Sequence, residues 1–271
     1  MNLRAPAVMI ASGVSLYAGA AVAVGLFDVL PPVIVAWFRI SAAALILLVL
    51  VRPRLPDFRS PAALVYGLAT MGMNMSFYEA IARLPLGTAV AVEFLGPVLV
   101  AALGSRSFRD WLALGLATSG VVVISGAVWS TAAAGIAFAL LAGGLWAVYI
   151  VVGSRIVGES DTPRTSMTVG FSLAAVLALP FMVWLWPAGV ETPGPTLHGQ
   201  ALGLGVLSAV IPYTLDQVVM RMAGASYFAL LQTLLPVVAA VLGAVALGQW
   251  LSGPEILGIV LVVAAVALRR P

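Results

Sequence analysis

The sequence predicts an all-α membrane protein with ten transmembrane helices, arranged as two inverted five-helix repeats. Three observations predict this class: the composition, the spacing of the apolar segments, and an internal repeat. Of the 271 residues, 62% are hydrophobic and 8% are charged, and the mean hydropathy is +1.13. Soluble domains carry about 25% charged residues, so most of these apolar side chains require lipid rather than water around them.

Apolar segments long enough to cross a bilayer, which takes roughly 20 residues, follow one another along the chain. Charged or Pro/Gly positions separate them into ten predicted spans, at 6–27, 32–51, 61–82, 86–104, 110–127, 131–153, 165–186, 199–220, 225–248 and 254–269. The first is too long for the apolar part of a signal peptide, so we expect a retained helix. Connections are short except for 187–198, which leaves no soluble domain to house an enzyme.

The positive charges predict the orientation of the chain. All 13 basic residues are arginines, and with the N-terminus inside, eleven of them fall on cytoplasmic segments. Only Arg83 falls on an outer loop, and Arg39 lies within a span. This bias predicts a multi-pass protein with both termini cytoplasmic, which requires an even number of spans. The scatter of the arginines argues against a nucleic-acid partner.

The two halves of the chain, 1–127 and 128–271, resemble each other. The matching pairs are Thr70 with Ser208, Ser76 with Thr214, Glu79 with Gln217 and, after one inserted residue, Glu93 with Gln232, Pro97 with Pro236 and Gly104 with Gly243. Each half has five spans, an odd number, so the second half must enter the membrane inverted. Inverted repeats permit two near-equivalent arrangements open to opposite sides, as alternating access requires, although a channel can also be built this way.

Residues that ligate metals or catalyse reactions are scarce. The chain has no cysteine, and its single histidine, His198, falls in a linker rich in proline and glycine. This composition excludes disulfides and a thiol metal site, and it leaves no cluster of histidines. We therefore expect no metal, no cofactor and no catalytic residue.

Short motifs in a fixed order resemble a known family across essentially the whole chain. These motifs are Trp37–Ile40, Ala80–Gly87, Glu93–Pro97, Leu145–Ala147, and Leu234–Pro236 followed by Gly243. On these residues the chain resembles the drug/metabolite transporter superfamily, in its EamA-type group with two repeats. Within that group, the stretch Val92–Pro97 is similar to threonine/homoserine exporters and aromatic amino-acid exporters.

The resemblance implies a ten-helix bundle around a central cavity lined by spans 1, 3, 4, 6, 8 and 9. It also implies efflux across a bacterial inner membrane. We expect a small-molecule substrate, contact with membrane lipid and a monomeric state. Two positions depart from the family pattern: Gln249 replaces the acid common after the ninth span, and Tyr17 replaces the tryptophan of the first repeat.

Two prolines mark predicted helix breaks at equivalent positions of the repeats. A proline inside a helix gives no hydrogen bond to the carbonyl four residues earlier, so Pro97 frees the carbonyl of Glu93 and Pro236 frees that of Gln232. Interrupted helices mark binding sites in many transporters. The predicted substrate-binding pair is Glu93 and Gln232, and the predicted hinge residues are Gly96, Pro97 and Pro236. The alternative is a packing kink that neighbouring helices satisfy.

The acidic residues within the spans differ in what they predict. Glu93 lies about 10 Å below the outer end of its span, where a carboxylate costs several kcal/mol unless it is protonated, paired or hydrated. It could bind a substrate amino group, carry a coupling proton, pair with Arg39, or only fix helix packing. Glu79 is expected to form an interfacial salt bridge with Arg83, four residues later, with a role in transport as the alternative. For Asp216, a position in contact with water or near Arg221 and a role in transport are both open.

Aromatic and polar side chains inside the spans complete the predicted cavity. They are Tyr17, Arg39, Asn74, Tyr78, Trp146, Tyr149 and Tyr213. Trp146 and Tyr149 share one helix face with Gly143, whose small size would leave room for a ligand. Arg39 could bind a substrate carboxylate, or it could reach the outer surface through its long side chain. Packing is the alternative role for each aromatic residue.

These observations predict a secondary transporter that exports amino acids or related small metabolites across the inner membrane by alternating access. One alternative is a multidrug or cation effluxer, for which aromatic residues and one membrane carboxylate would suffice. Another is a passive solute channel of the same fold. An enzyme is not expected.

Overall fold

The computed structural model of the chain describes residues 4–104, 108–159, 163–188, 195–212, 215, 218–219 and 231–268. Ten α-helices lie in this part of the chain. They are α1 Arg4–Leu26, α2 Pro32–Val51, α3 Pro61–Ile81, α4 Leu86–Glu93, α5 Leu95–Gly104, α6 Phe108–Glu159, α7 Pro163–Trp184, α8 Pro195–Gly205, α9 Leu235–Leu247 and α10 Gly253–Leu268. The predicted all-α class is confirmed.

The helix surfaces are those of a membrane protein. By length and composition, four helical segments can cross a bilayer: Arg4–Leu26, Pro32–Val51, Ala132–Gly153 and Arg164–Trp184. Large apolar side chains point outward along the helices; Leu50 and Val176, for example, are 69% and 67% exposed. Such a surface is stable against lipid tails but not against water. Polar side chains lie inside the bundle instead: Thr70 and Asn74 of α3 are buried.

The helices can be compared with the predicted spans around the fourth, fifth and sixth spans. The predicted fourth span, 86–104, is divided into α4 and α5 at Phe94. The predicted fifth and sixth spans are two helical segments of α6 that meet at a kink, where Ala132 has the non-helical angles φ −143° and ψ 33°. This kink lies at the predicted start of the sixth span, residue 131, and the apolar segments Trp111–Ile124 and Ala132–Gly153 lie on its two sides.

The turn between α9 and α10 is fixed by local hydrogen bonds and joins the start of α4. Helix α9 ends at Gly248, whose positive φ of 65° suits glycine. The Gln249 side-chain carbonyl then accepts from the Leu86 amide at 2.9 Å. At the start of α10, one carboxylate oxygen of Glu255 accepts two hydrogen bonds from Ser252, from its amide at 2.9 Å and from its hydroxyl at 2.7 Å. Its other oxygen accepts from the Thr88 hydroxyl at 2.8 Å.

Replacing Glu255 by alanine is expected to destabilise the protein by about 1–3 kcal/mol, because it removes a helix cap and a buried bond between helices. The measurement is the apparent melting temperature of the detergent-solubilised chain. Glu255→Gln retains one acceptor oxygen and should lose less. Equal melting temperatures for Glu255→Ala and the unchanged chain would contradict this role.

Two helix pairs approach each other closely at glycines. A Cβ atom on Gly67 of α3 would lie 1.9 Å from the carbonyl oxygen of Gly170 of α7. A Cβ atom on Gly205, at the end of α8, would lie 2.7 Å from the Cβ of Ala42 in α2. Small residues at helix contacts allow the backbones to pack directly in membrane proteins. Gly67 and Gly205 are also equivalent positions of the sequence repeat.

Candidate functional site

The break between α4 and α5 packs against the backbone of α6. Pro97 carries no amide hydrogen, so the Glu93 carbonyl lacks its usual helical donor. That oxygen would lie 2.7 Å from a Cβ atom on Gly143, and a Cβ atom on Gly96 would lie 1.9 Å from the Gly143 carbonyl oxygen. The freed carbonyl therefore faces a glycine Cα–H, which is a weak donor. The space predicted for a ligand at Gly143 is wrong, because the backbone of Glu93 and Gly96 fills it.

The Glu93 side chain is buried and has no polar partner among the residues that the structure describes. It is 8% exposed, and the described residues give it neither a hydrogen bond nor an ion pair. The pairing with Arg39, one of the alternatives for Glu93, is absent as a contact, because the terminal nitrogens of Arg39 donate to Asn74 and to the Ser208 carbonyl. A carboxylate inside a membrane protein is costly and marks a candidate transport residue.

The equivalent segment of the second half is also distorted. Residues Gln232–Leu234 form a short 3₁₀ turn before α9. The prediction that the Gln232 carbonyl is free is wrong, because this oxygen accepts a hydrogen bond from the Leu235 amide three residues later. Pro236 is buried in the first turn of α9. This segment packs on α1, where a Cβ atom on Gly13 would lie 2.9 Å from a methyl carbon of Leu235.

Arg39 is the centre of a buried polar cluster. It is 6% exposed, and its two terminal nitrogens donate to Asn74 Oδ1 and to the carbonyl oxygen of Ser208, both at 2.6 Å. Its guanidinium lies 5.8 Å from the centroid of the Tyr78 ring, within the range of a cation–π contact. The structure therefore brings together three predicted site residues: Arg39, Asn74 and Tyr78.

The Ser208 carbonyl is a partner that the sequence analysis missed. Residues Val206–Val210 form a π-helical turn, and Pro212 has no amide hydrogen for the carbonyl four residues earlier. The Ser208 carbonyl accepts a hydrogen bond from the Arg39 guanidinium. The neighbouring Leu207 carbonyl accepts from the Ser15 hydroxyl of α1 at 2.7 Å. The proline four residues after Ser208 was the sequence signal for this site.

The predicted aromatic residues fall into different clusters. Trp146 packs edge-on against Phe94 at 4.9 Å between ring centroids, so it lies beside the break that contains Glu93. Tyr149 instead packs against Tyr66 of α3, at 4.7 Å. Tyr17 is buried in α1. The predicted residue Tyr213 lies outside the described residues, as does Asp216.

A second polar region lies at the predicted outer end of the bundle. The Glu79 carboxylate and the Arg83 guanidinium form the expected ion pair. Arg83 also lines a cavity of about 610 Å³, together with Asp28 and Gln249. Within the described residues, no group of three potential metal ligands comes together.

Comparisons with known proteins agree with this architecture. The model of the EamA-like transporter family matches residues 133–269. The chain is 34% identical over 261 residues to the threonine/homoserine exporter RhtA of Salmonella typhimurium strain LT2, covering 93% of this chain and 86% of the relative. It is 31% identical over 269 residues to RhtA of Escherichia coli strain K12, covering 95% and 88%.

A solved crystal structure shares the fold. It superposes with a TM-score of 0.62 at 20% identity, covering 97% of this chain and 96% of the other. At 20% identity this likeness shows a shared fold and nothing more. The family match and the two relatives show the family to which the chain belongs. The chain belongs to the EamA-like transporter family, and it is therefore a membrane transporter and not an enzyme.

Proposed function

We propose that this protein is a secondary transporter that exports amino acids, such as threonine and homoserine, or related small metabolites across the inner membrane. The relatives carry names of that activity. The observation that carries the proposal is a pair of buried groups of opposite charge inside the bundle, Glu93 and Arg39, neither of which forms an ion pair with a described residue. A zwitterionic substrate presents the complementary charges, an ammonium for the first group and a carboxylate for the second.

Alternating access between two inverted halves, 1–127 and 128–271, is the mechanism that we propose. Helix contacts related by exchange of the halves support it: α3 packs on α7 as α8 packs on α2, and the α4–α5 break packs on α6 as the start of α9 packs on α1. Such reciprocity is what a pseudo-two-fold axis generates. Gly96, Pro97 and Pro236 lie at the two distorted segments and are the proposed bending points. Both termini would be cytoplasmic.

A multidrug or cation effluxer is less compatible with the charges. A lipophilic cation would be repelled by Arg39, which no carboxylate of the described residues pairs within contact distance. An amino acid can place its carboxylate toward Arg39 instead. Competition by lipophilic cations in the absence of competition by amino acids would reverse this preference.

Counterflow in proteoliposomes tests the proposed function. Vesicles loaded with unlabelled threonine are expected to accumulate labelled threonine transiently above protein-free vesicles, and the initial rate should saturate. Flux without saturation or counterflow would indicate a channel. If folded protein gives no counterflow with threonine, homoserine, methionine or phenylalanine, amino-acid export is contradicted.

A further inference from the structure

The donors of Arg39 are only partly used in the structure. Its two terminal nitrogens are fixed by Asn74 and by the Ser208 carbonyl. Its Nε is buried and has no hydrogen-bond partner. Both existing acceptors are neutral, and no carboxylate of the described residues contacts this positive charge inside the protein. Such a charge is expensive unless an anion joins it during function.

The hydroxyl of the neighbouring Tyr78 also lacks an acceptor of regular geometry among the described residues. Tyr78 is fully buried, at 0% exposure. Within the described residues its hydroxyl makes no hydrogen bond of regular geometry, although the side chains of Arg39 and Ser208 lie near it. Its ring lies beside the Arg39 guanidinium. A buried hydroxyl without a partner costs about 1–3 kcal/mol. Two donors of residues in contact, both buried and without an acceptor in the described part of the chain, suit an anion with two oxygens.

We propose that Arg39 Nε and the Tyr78 hydroxyl bind the α-carboxylate of the transported amino acid. This inference rests on the proposed function and adds the group that recognises the substrate. A carboxylate has acceptor sites for both donors and supplies the missing negative charge. Asn74 and Ser208 would then act as positioning residues, because they hold the guanidinium while Nε stays available. The substrate would reach these buried groups when the halves separate.

A purely structural role explains only part of this arrangement. If Arg39 served only to cap the Ser208 carbonyl that Pro212 leaves free, the terminal nitrogens would be sufficient. The Arg39 Nε and the Tyr78 hydroxyl are buried without an acceptor among the residues that the structure describes. In a purely structural role, each would lower the stability of the protein with no gain in function. Carboxylate binding accounts for both groups together.

The test compares substrates with and without the carboxylate. In proteoliposomes containing the full chain, inhibition of labelled threonine counterflow is measured with unlabelled threonine and with threoninol, in which a hydroxymethyl group replaces the carboxylate. For the unchanged protein we expect threoninol to inhibit at least about tenfold more weakly, as for loss of a hydrogen-bonded charged group. Threoninol that inhibits as well as threonine would overturn this inference while leaving amino-acid export intact.

Variant Tyr78→Phe removes a buried hydroxyl that has no acceptor within the described residues, so the substrate-free protein should melt at or above the temperature of the unchanged chain. We expect its inhibition constant for threonine to rise about five- to tenfold and that for threoninol to change less than about twofold. Ser41→Ala is the matched control, because Ser41 Oγ is also buried without a partner and lies on the helix of Arg39. It should leave both constants unchanged. An unchanged threonine-to-threoninol ratio in Tyr78→Phe would contradict the proposal.

Discussion

Replacing Glu93 by glutamine is expected to lower threonine counterflow by at least about tenfold and to remove its dependence on pH. Glutamine keeps the size of the side chain but cannot carry the negative charge that would bind an ammonium group or a coupling proton. No described residue bonds the Glu93 carboxylate, so the substitution removes no polar contact within the described part of the chain and should preserve the fold. A loss of about tenfold corresponds to 1.4 kcal/mol, which is modest for a charged interaction in a buried site.

The matched control is Glu79→Gln, on the neighbouring helix α3. Glu79 is paired with Arg83 near the predicted outer surface, where such pairs contribute little. Its counterflow should stay within about twofold of the unchanged chain. Counterflow of Glu93→Gln at the unchanged rate across the pH range would remove Glu93 from the mechanism. Equal losses in both variants would show a general sensitivity to lost carboxylates.

Features set by local chemistry could be predicted from the sequence. The composition predicts helices in lipid, and Pro97 predicts the interruption of the fourth span, because both effects depend on residues near one another in the chain. The pair Glu79 and Arg83 is local for the same reason, being four residues apart on one helix. Pro212 carried an equally local signal for the free Ser208 carbonyl, but the sequence does not say that Arg39 is its donor.

Contacts between helices could not be predicted, because they depend on how the helices are rotated and shifted against one another. Gly143 and Trp146 lie one turn apart, yet only the structure places Gly143 against the Glu93 carbonyl and Trp146 against Phe94. Tyr149, on the same face, contacts Tyr66 instead. The sequence pattern is compatible with a ligand space at Gly143 as well as with the direct backbone contact that is present.

Replacing Gly143 by alanine is the second change for which we expect a large effect. The new Cβ atom would lie 2.7 Å from the Glu93 carbonyl oxygen, and backbone cannot move aside as a side-chain end can. Overpacking of this kind costs about 1–3 kcal/mol. The α4–α5 break should be pushed away from α6, which displaces Glu93 and Phe94 together. We therefore expect a lower melting temperature and a loss of counterflow.

The adjacent glycine gives a control with the same change of residue in the same helix. A Cβ atom on Gly144 meets no other atom within 4 Å, and alanine favours helix by about 1 kcal/mol over glycine. Gly144→Ala should therefore melt at or above the temperature of the unchanged chain and transport normally. If Gly143→Ala melts and transports like Gly144→Ala, the tight contact between the break and α6 does not exist in the membrane. If Gly143→Ala loses counterflow at an unchanged melting temperature, the contact acts in the transport cycle more than in folding, as expected where one half moves against the other.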